Sequence, residues 1–381
     1  MKKYIVKKAI KISCIILSCF LMTSCWDYRD LDETNIVVSI GINKSGNNVQ
    51  FSNELVDLKD SKSAEETSVV DTYEVVAKGT DYKHARKNFD YSNPYPTFLG
   101  ATRVAVFGKN LAEEGIIAYV NRINKIYNYR KTLLTVVSRE SPEKLLNMKP
   151  EGDIAVGFLV DNMVKTLDKQ GLALYKSVGD ILTDVAMGKV GYLLPYIGIE
   201  DNEIKYLGIA VMKDSKLQGV IESKRSEGVM YLLSKKPQIT EEMSLDKKLS
   251  NIIYFINSIK KRKIDAKILN GRLCLTVDLD ISSKLQYQYY LNNISESEMK
   301  KLQKMLSYKV KTQVEEAIKI SQKYKCDYLN FYKAFKGKHP KQLGTIDWEK
   351  QYPYADVKVN ASVKISDTNL KDLEGKMKIK N

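Results

Sequence analysis

The sequence predicts an α+β protein: three consecutive domains in which helices pack on mixed and antiparallel sheets, behind a leader that is removed. Three patterns carry this reading. Leu273, Leu275, Val277, Leu279 and Ile281 alternate with Cys274, Thr276, Asp278 and Asp280, the period of two shown by a strand whose sheet buries one face and wets the other. Apolar residues from Met299 to Tyr324 recur instead every three or four positions behind a helix-start signal, which marks one stripe of a long amphipathic helix. From Ile36 onward, short β-type runs and short helical patterns take turns, so the first unit mixes the two.

Residues 1–24 read as a signal peptide. Met1 to Lys11 holds five lysines and no acid, Ile12 to Met22 is apolar, and Thr23-Ser24-Cys25 follows. An eleven-residue apolar core is too short to remain across a bilayer, where a helix needs about 20 residues, but suits a segment that is cleaved. Small residues at Thr23 and Ser24 fit a peptidase subsite, and cleavage between Ser24 and Cys25 leaves the Cys25 thiol placed to take an S-diacylglycerol group, with N-acylation as a further modification. This is the lipobox pattern, with Met22 where leucine is usual and Leu21 one place earlier. A diacylglyceryl group supplies the two chains that stable attachment requires.

The first mature unit is set at 25–200, an α/β-type domain. Ile36 to Ile42 and Val49 to Leu58 flank a polar turn as an opening hairpin, followed by a polar loop from Lys59 to Ser68 and a strand from Thr72 to Lys78. Asp81 to Phe89 is a short helix with Tyr82, Ala85 and Phe89 on one face. Arg103 to Phe107 is a strand, Leu111 to Lys125 one helix, and Thr132 to Val137 a buried strand. Ser141-Pro142-Glu143 starts another helix, because serine caps free amides and proline's fixed φ suits the first helical position.

A middle α+β domain is set at 203–285. Tyr206 to Met212 and Leu217 to Glu222 form a hairpin around Lys213-Asp214-Ser215-Lys216, a helix follows at Glu227 to Leu233, and polar residues from Ser234 to Lys248 read as loop. The C-terminal α+β domain, 286–381, opens with the capping box Ser295-Glu296-Ser297-Glu298. Its long helix runs to about Lys325. Val357, Val359, Ala361, Val363 and Ile365 then alternate with polar residues as a terminal strand before a basic tail.

Composition removes several function classes. The chain has two histidines, His84 and His339, far apart, which excludes a histidine-rich metal site. No His-Glu-x-x-His, Cys-x-x-Cys, Gly-x-Ser-x-Gly, Walker-type loop or Gly-x-Gly-x-x-Gly occurs. Asp278 and Asp280 share one strand face, on the solvent side of a regular alternation, where solvation is the ordinary role. The reading is therefore not an enzyme, with no catalytic residue, metal or cofactor assigned. Of five cysteines, Cys14 and Cys19 leave with the leader and Cys25 carries lipid, so only Cys274 and Cys326 remain and no disulfide framework exists. Without residues 1–24 the net charge falls from +15 to about +10. An exported basic chain meets anionic headgroups first, so a membrane surface is expected and nucleic acid is not. Tyrosines cluster at Tyr287, Tyr289 and Tyr290, and Tyr91-Ser92-Asn93-Pro94-Tyr95-Pro96 is a rigid aromatic turn; strand packing and turn formation are their ordinary roles.

Four separated stretches, in order, resemble the Ger(x)C family. Cys25-Trp26-Asp27-Tyr28-Arg29-Asp30-Leu31 is similar to its start. Phe98-Leu99-Gly100, Val104 to Gly108 and Leu111 to Ile116 follow. The family commonly has histidine at the place of Ala101 and Arg-Asp-Pro-Glu-Ile-Arg at Lys125 to Arg130, of which only Arg130 stands unchanged. Leu207-Gly208-Ile209-Ala210-Val211-Met212 with Lys216 to Gly219 resembles the central hairpin. Cys326-Asp327-Tyr328-Leu329-Asn330-Phe331, His339-Pro340, Trp348 and the strand from Val357 resemble the family's Asp-x-x-Gly-Phe, Pro, Trp and terminal-strand pattern, with Asn330 in place of glycine.

This resemblance implies a lipoprotein on the outer face of the spore inner membrane, the C subunit of a nutrient germinant receptor that also holds two integral membrane subunits, A and B. It implies no reaction: the subunit completes or positions a receptor whose change of state triggers germination. A solute-binding lipoprotein of an importer shares the anchor and the size. Such proteins repeat βα units in both lobes, whereas the second half of this chain alternates cleanly on one side.

Overall fold

The computed structural model describes residues 33–56, 72–126, 128–151, 154–245, 252–288 and 294–367. The expected signal peptide, Cys25, the Trp26-Asp27 start, the loop from Lys59 to Ser68, Tyr289, Tyr290 and the basic tail lie outside them.

Two sheets organise the chain. β1 (Asn35–Ser45) and β2 (Asn48–Val56) form the expected opening hairpin, closing at Ser45 opposite Asn48, and β3 (Thr72–Gly79) adds antiparallel to β2. β4 (Thr97–Phe98) and β5 (Val104–Gly108) pair parallel to β1, β6 (Leu134–Ser138) pairs parallel to β5, and β7 (Tyr192–Glu200) parallel to β6. β8 (Glu203–Lys213) and β9 (Lys216–Glu222) extend the sheet antiparallel, giving the order β3-β2-β1-β5-β6-β7-β8-β9 with β4 beside β1. β5 and β6 are buried at every position, as parallel strands covered on both faces must be.

Helices cover both faces of this sheet. α1 (Tyr82–Ser92), α2 (Lys109–Glu114) and α3 (Ile117–Lys125) place Ala85, Phe89, Leu111, Tyr119 and Ile123 against Ile40, Ala105 and Phe107. On the opposite face α4 (Pro142–Leu146) and α5 (Val156–Gln170) set Leu145, Val160 and Val164 against Val104, Val106 and Val136. α6 (Val178–Met187) joins the first layer through Val178 and Ile181. The single helix expected over Leu111–Lys125 is two: Gly115 at φ +132 ends α2, and the Ile116 N–H leaves the helix to donate to Ser215 O.

The second sheet has the order β10-β11-β12-β13. α7 (Glu227–Leu233) leads to β10 (Gln238–Met243), which corrects the loop expected at Ser234–Lys248; Ile239, Glu241 and Met243 face inward, and a buried glutamate in the middle hides the alternation. β11 (Ile253–Leu269) and β12 (Arg272–Gln288) make a long hairpin around Asn270-Gly271, both at positive φ. α8 (Glu296–Lys323) starts at the expected capping box: the Glu298 N–H donates to Ser295 Oγ at 3.3 Å and the Ser295 N–H to Glu298 Oε2 at 2.9 Å. α9 (Phe331–Lys338) and α10 (Trp348–Gln351) precede β13 (Asp356–Asp367), which runs parallel to β12, so the β12 alternation is one-sided because α8 covers only its inner face. The N–H groups of Val363 and Ile365 donate to Ser307 Oγ and Gln303 Oε1 of α8, both at 3.0 Å, which closes part of the outer edge of β13.

The mixed α+β class read from the sequence is the class found. The hairpin of 203–222 hydrogen-bonds to β7, within the first sheet. Its back-face residues Ile209, Val211 and Ile221 belong to the same core as Val229, Phe255, Leu275 and Val314, so segments 203–285 and 286–381 share one hydrophobic interior. Among the described residues no helix is long and apolar enough to cross a membrane.

Candidate functional site

Residues that a catalytic or metal site would use stay apart. His84 is exposed, its Nδ1 2.9 Å from the Asp81 carboxylate that also caps α1, and His339 closes α9 with its ring 5.4 Å from Phe335. Among the described residues no three His, Cys, Asp or Glu groups gather as a metal cluster. Asp278 lies on the outer face of β12 and accepts from Asn360 Nδ2 at 2.7 Å, while Asp280 is exposed. Cys274 and Cys326 are both free. Cys326 is buried with its S–H toward Met212 O, and burial pushes the thiol up to about 12, which removes it as a nucleophile.

The Cys326–Phe331 stretch is a structural corner. Asp327 is buried, and its carboxylate accepts from the N–H groups of Leu329 at 3.2 Å, Phe331 at 3.3 Å and Tyr332 at 2.6 Å, capping the start of α9. Burial pushes this carboxyl up to about 6, against the pull of those amides. Asn330 sits at φ +69, a left-handed conformation that asparagine tolerates better than most side chains. The departure from the family's glycine therefore preserves the turn. Trp348 then stacks on Tyr352 at 5.9 Å, meets Tyr332 edge to face at 5.3 Å and lies tilted against Phe335 at 5.5 Å.

That corner is tied to the first sheet. The Gly191 N–H donates to Asp327 O at 3.0 Å just before β7, and Lys333 of α9 reaches Asp184 of α6 at 2.9 Å, where Lys176 also pairs at 2.5 Å. In the central hairpin, a register shift between Tyr196 and Ile197 of β7 puts an extra residue of β8 at Leu207, and the following Gly208 at φ +146 meets the Ile221 carbonyl where a Cβ would stand. Only glycine fits there. The Cys326–Phe331 corner and the central hairpin thus both act on packing.

Two larger clefts open on the surface. One of about 700 Å³ lies between α2 and the β7–β9 end of the sheet, with Lys109, Arg139, Glu200, Tyr206 and Lys224 in its walls; Arg139 is engaged by Glu140 at 2.8 Å and Glu200 at 3.2 Å. The other, about 420 Å³, lies between α5, α6 and α9 and carries Lys165, Asp184, Tyr192 and Lys333. Both mix charges of either sign. Neither places a nucleophile beside a base, so what they offer chemically is recognition of a polar group.

Sequence reasoning passed over several buried acids. Glu54 accepts from Ser39 Oγ at 2.6 Å, Val156 N–H at 2.6 Å and Gly157 N–H at 2.9 Å, capping α5 from a strand a hundred residues away, and burial raises its carboxyl. Its neighbour Glu74 is pushed up to about 7 by burial and by Glu143 and Glu54, with a Ser52 hydrogen bond opposing. Glu241 receives the Tyr231 hydroxyl at 3.0 Å and pairs with Lys309 at 2.8 Å. The available signal was an acid at an inward position of an apolar strand. Cys25 and Ser24 lie outside the described residues.

Two sequence families match in tandem: "Spore germination protein N-terminal domain" over residues 27–199 and "Spore germination B3/ GerAC like, C-terminal" over residues 207–369. Spore germination protein KC of Bacillus subtilis (strain 168) is 21% identical, covering 96% of this chain and 97% of that protein, and putative spore germination protein YfkR of the same organism is 21% identical over 94% and 95%. Spore germination protein A3 of that organism is 21% identical over 54% of this chain, which spans about half of that protein, 55%. The crystal structure of the GerBC protein superposes with a TM-score of 0.52 over 89% of this chain and 99% of that one at 16% identity, showing the same fold. With both family domains matched in order, the chain belongs to the Ger(x)C family of spore germination proteins.

Proposed function

We propose that this chain is a non-enzymatic lipoprotein subunit of a spore nutrient germinant receptor. It is held by lipid on Cys25 at the outer face of the spore inner membrane and assembled with two integral membrane subunits, A and B. The observation that carries the reading is the tandem match over residues 27–199 and 207–369 directly behind the Ser24-Cys25 lipobox. Clefts without a nucleophile and base, and family motifs spent on turns and caps, support a role in assembly and change of state. In this reading nutrient binding elsewhere in the complex shifts the receptor between states, and this subunit biases that equilibrium. The importer reading is not favoured, because the relatives are named for spore germination and the second half builds one four-stranded sheet packed on α8. Affinity purification of the tagged full chain from detergent-solubilised spore inner membranes tests assembly. The reading predicts two multi-spanning proteins recovered with it in constant ratio, and recovery of the chain alone counts against it.

A further inference from the structure

The end of the first sheet at which β1 begins collects aromatic and basic side chains. Asn35 opens β1 with its N–H on Pro96 O at 2.9 Å and its Nδ2 on Tyr95 O at 2.8 Å, and Ile36 pairs with Phe98. Leu55 faces Val37 on one side and Tyr73 on the other, so β3 starts at the same end. Phe98 is 46% exposed, Tyr73 42%, and Tyr91, at the head of the turn leading to Phe98, 74%. The parallel strands β5 and β6 begin here too. Arg103 immediately precedes β5, its N–H on Val38 O, and Arg130 and Lys131 precede β6; all three are exposed. Arg103 and Arg130 help to line a cavity of about 210 Å³ whose one acid, Asp161, is already engaged by Lys165 at 2.6 Å and by the Tyr175 hydroxyl at 3.0 Å.

We propose that this end of the first sheet is a membrane-docking face, laid against an anionic phospholipid surface by the Tyr73, Tyr91 and Phe98 rings and by Arg103, Arg130 and Lys131. The inference rests on the lipid anchor of the proposed function, because the anchor holds the start of β1 within a short reach of the bilayer. Nine residues lie between Cys25 and Asn35, and the ten residue-to-residue steps from one to the other span at most about 35 Å. Aromatic rings with a polar edge settle at the headgroup level and cations meet the negative leaflet, and this end presents both. Among the other exposed large apolar side chains, Leu269, Tyr287, Tyr308 on α8 and Tyr354 before β13 lie on elements of the second sheet, while Leu172 follows α5 and Val185 lies on α6.

The test uses the mature acylated protein in bilayers containing phosphatidylglycerol, with a nitroxide at Phe98→Cys or at Tyr308→Cys in a Cys274→Ser background. Collision with a water-soluble nickel chelate is expected to be about tenfold lower at 98 than at 308; equal collision rates at the two positions overturn the proposal. Shielding of 98 that appears only when the membrane subunits are present overturns it as well, in favour of a protein contact. A second arm measures partition of the unacylated mature chain, residues 26–381, into vesicles. Phosphatidylglycerol should bind it more tightly than phosphatidylcholine, and Arg103→Gln with Arg130→Gln should weaken that binding about 30-fold, roughly fivefold for each cation. Indifference to both lipid and substitution contradicts the docking face. Mass measurement of the N-terminal peptide reads acylation of Cys25 separately, so failure of the anchor and failure of the face give different results.

Discussion

Asp327 and Asn330 explain why one short stretch of this sequence is so particular. A carboxylate buried under three backbone N–H groups fixes the start of α9, and a residue able to hold φ +69 turns the chain into it. Asp327→Ala should cost about 3 kcal/mol in urea unfolding, since it strands buried amides as well as removing a cap. Asn330→Gly should be nearly neutral, whereas Asn330→Val should cost about 1–2 kcal/mol through the backbone conformation alone. Glu74 carries a pH dependence. Its folded carboxyl is raised to about 7 from an ordinary 4.5, so the folded protein holds a proton that the unfolded chain has released across that interval. The associated stability is complete below about 4.5 and lost as pH rises through about 7. Urea midpoints should therefore fall between pH 5.5 and pH 8, and fall less in Glu74→Gln. Equal slopes for the two proteins would show that the carboxyl titrates normally.

Legibility at the scale of elements followed how local each cause is. The β1–β2 turn, the Ser141-Pro142 start of α4, the alternation of β12 and the Ser295–Glu298 capping box are written in contiguous residues and appear where the sequence places them. α5 was passed over because its N-terminal amides are capped by Glu54 from β2, and no local residue announces it. β11 was passed over because Lys260-Lys261-Arg262-Lys263 interrupts its apolar pattern, although Asn270-Gly271 is a strong hairpin signal. The place of β8 and β9 in the first sheet depends on pairing with β7, and a period of two names a buried face without naming a partner. The same limit applied to the candidate site: the Asp327–Phe331 stretch stood out by resemblance, but its burial and its hold on α9 are three-dimensional facts. α8 carries the largest single apolar stripe, Leu302, Leu306, Val310, Val314 and Ala317, all buried. Leu306→Ala should cost about 3 kcal/mol, measurable as a lowered midpoint with an unchanged m-value.

The whole molecule is coupled through one interior. Leu193, Ile209, Val211 and Ile221 on the back of the first sheet meet α7, α8 and the second sheet, and the Asp184–Lys333 pair and the Gly191–Asp327 hydrogen bond add polar ties across the same boundary. Unfolding should therefore be cooperative across the two sheets. In a Trp26→Phe background, fluorescence of Trp348 and far-ultraviolet circular dichroism should report the same midpoint, and Ile209→Ala should move both together by about 2–4 kcal/mol. Separate midpoints would show that the sheets unfold independently.

The most direct test of the receptor role is release of dipicolinate from spores lacking this gene, challenged with single nutrients and compared with wild type and with a strain complemented by Cys25→Ala. The account predicts loss of response to one nutrient class in the deletion and in the Cys25→Ala strain, with full response to pressure or to added dipicolinate. Release unchanged across every nutrient, in spores with no second copy of the gene, would contradict it.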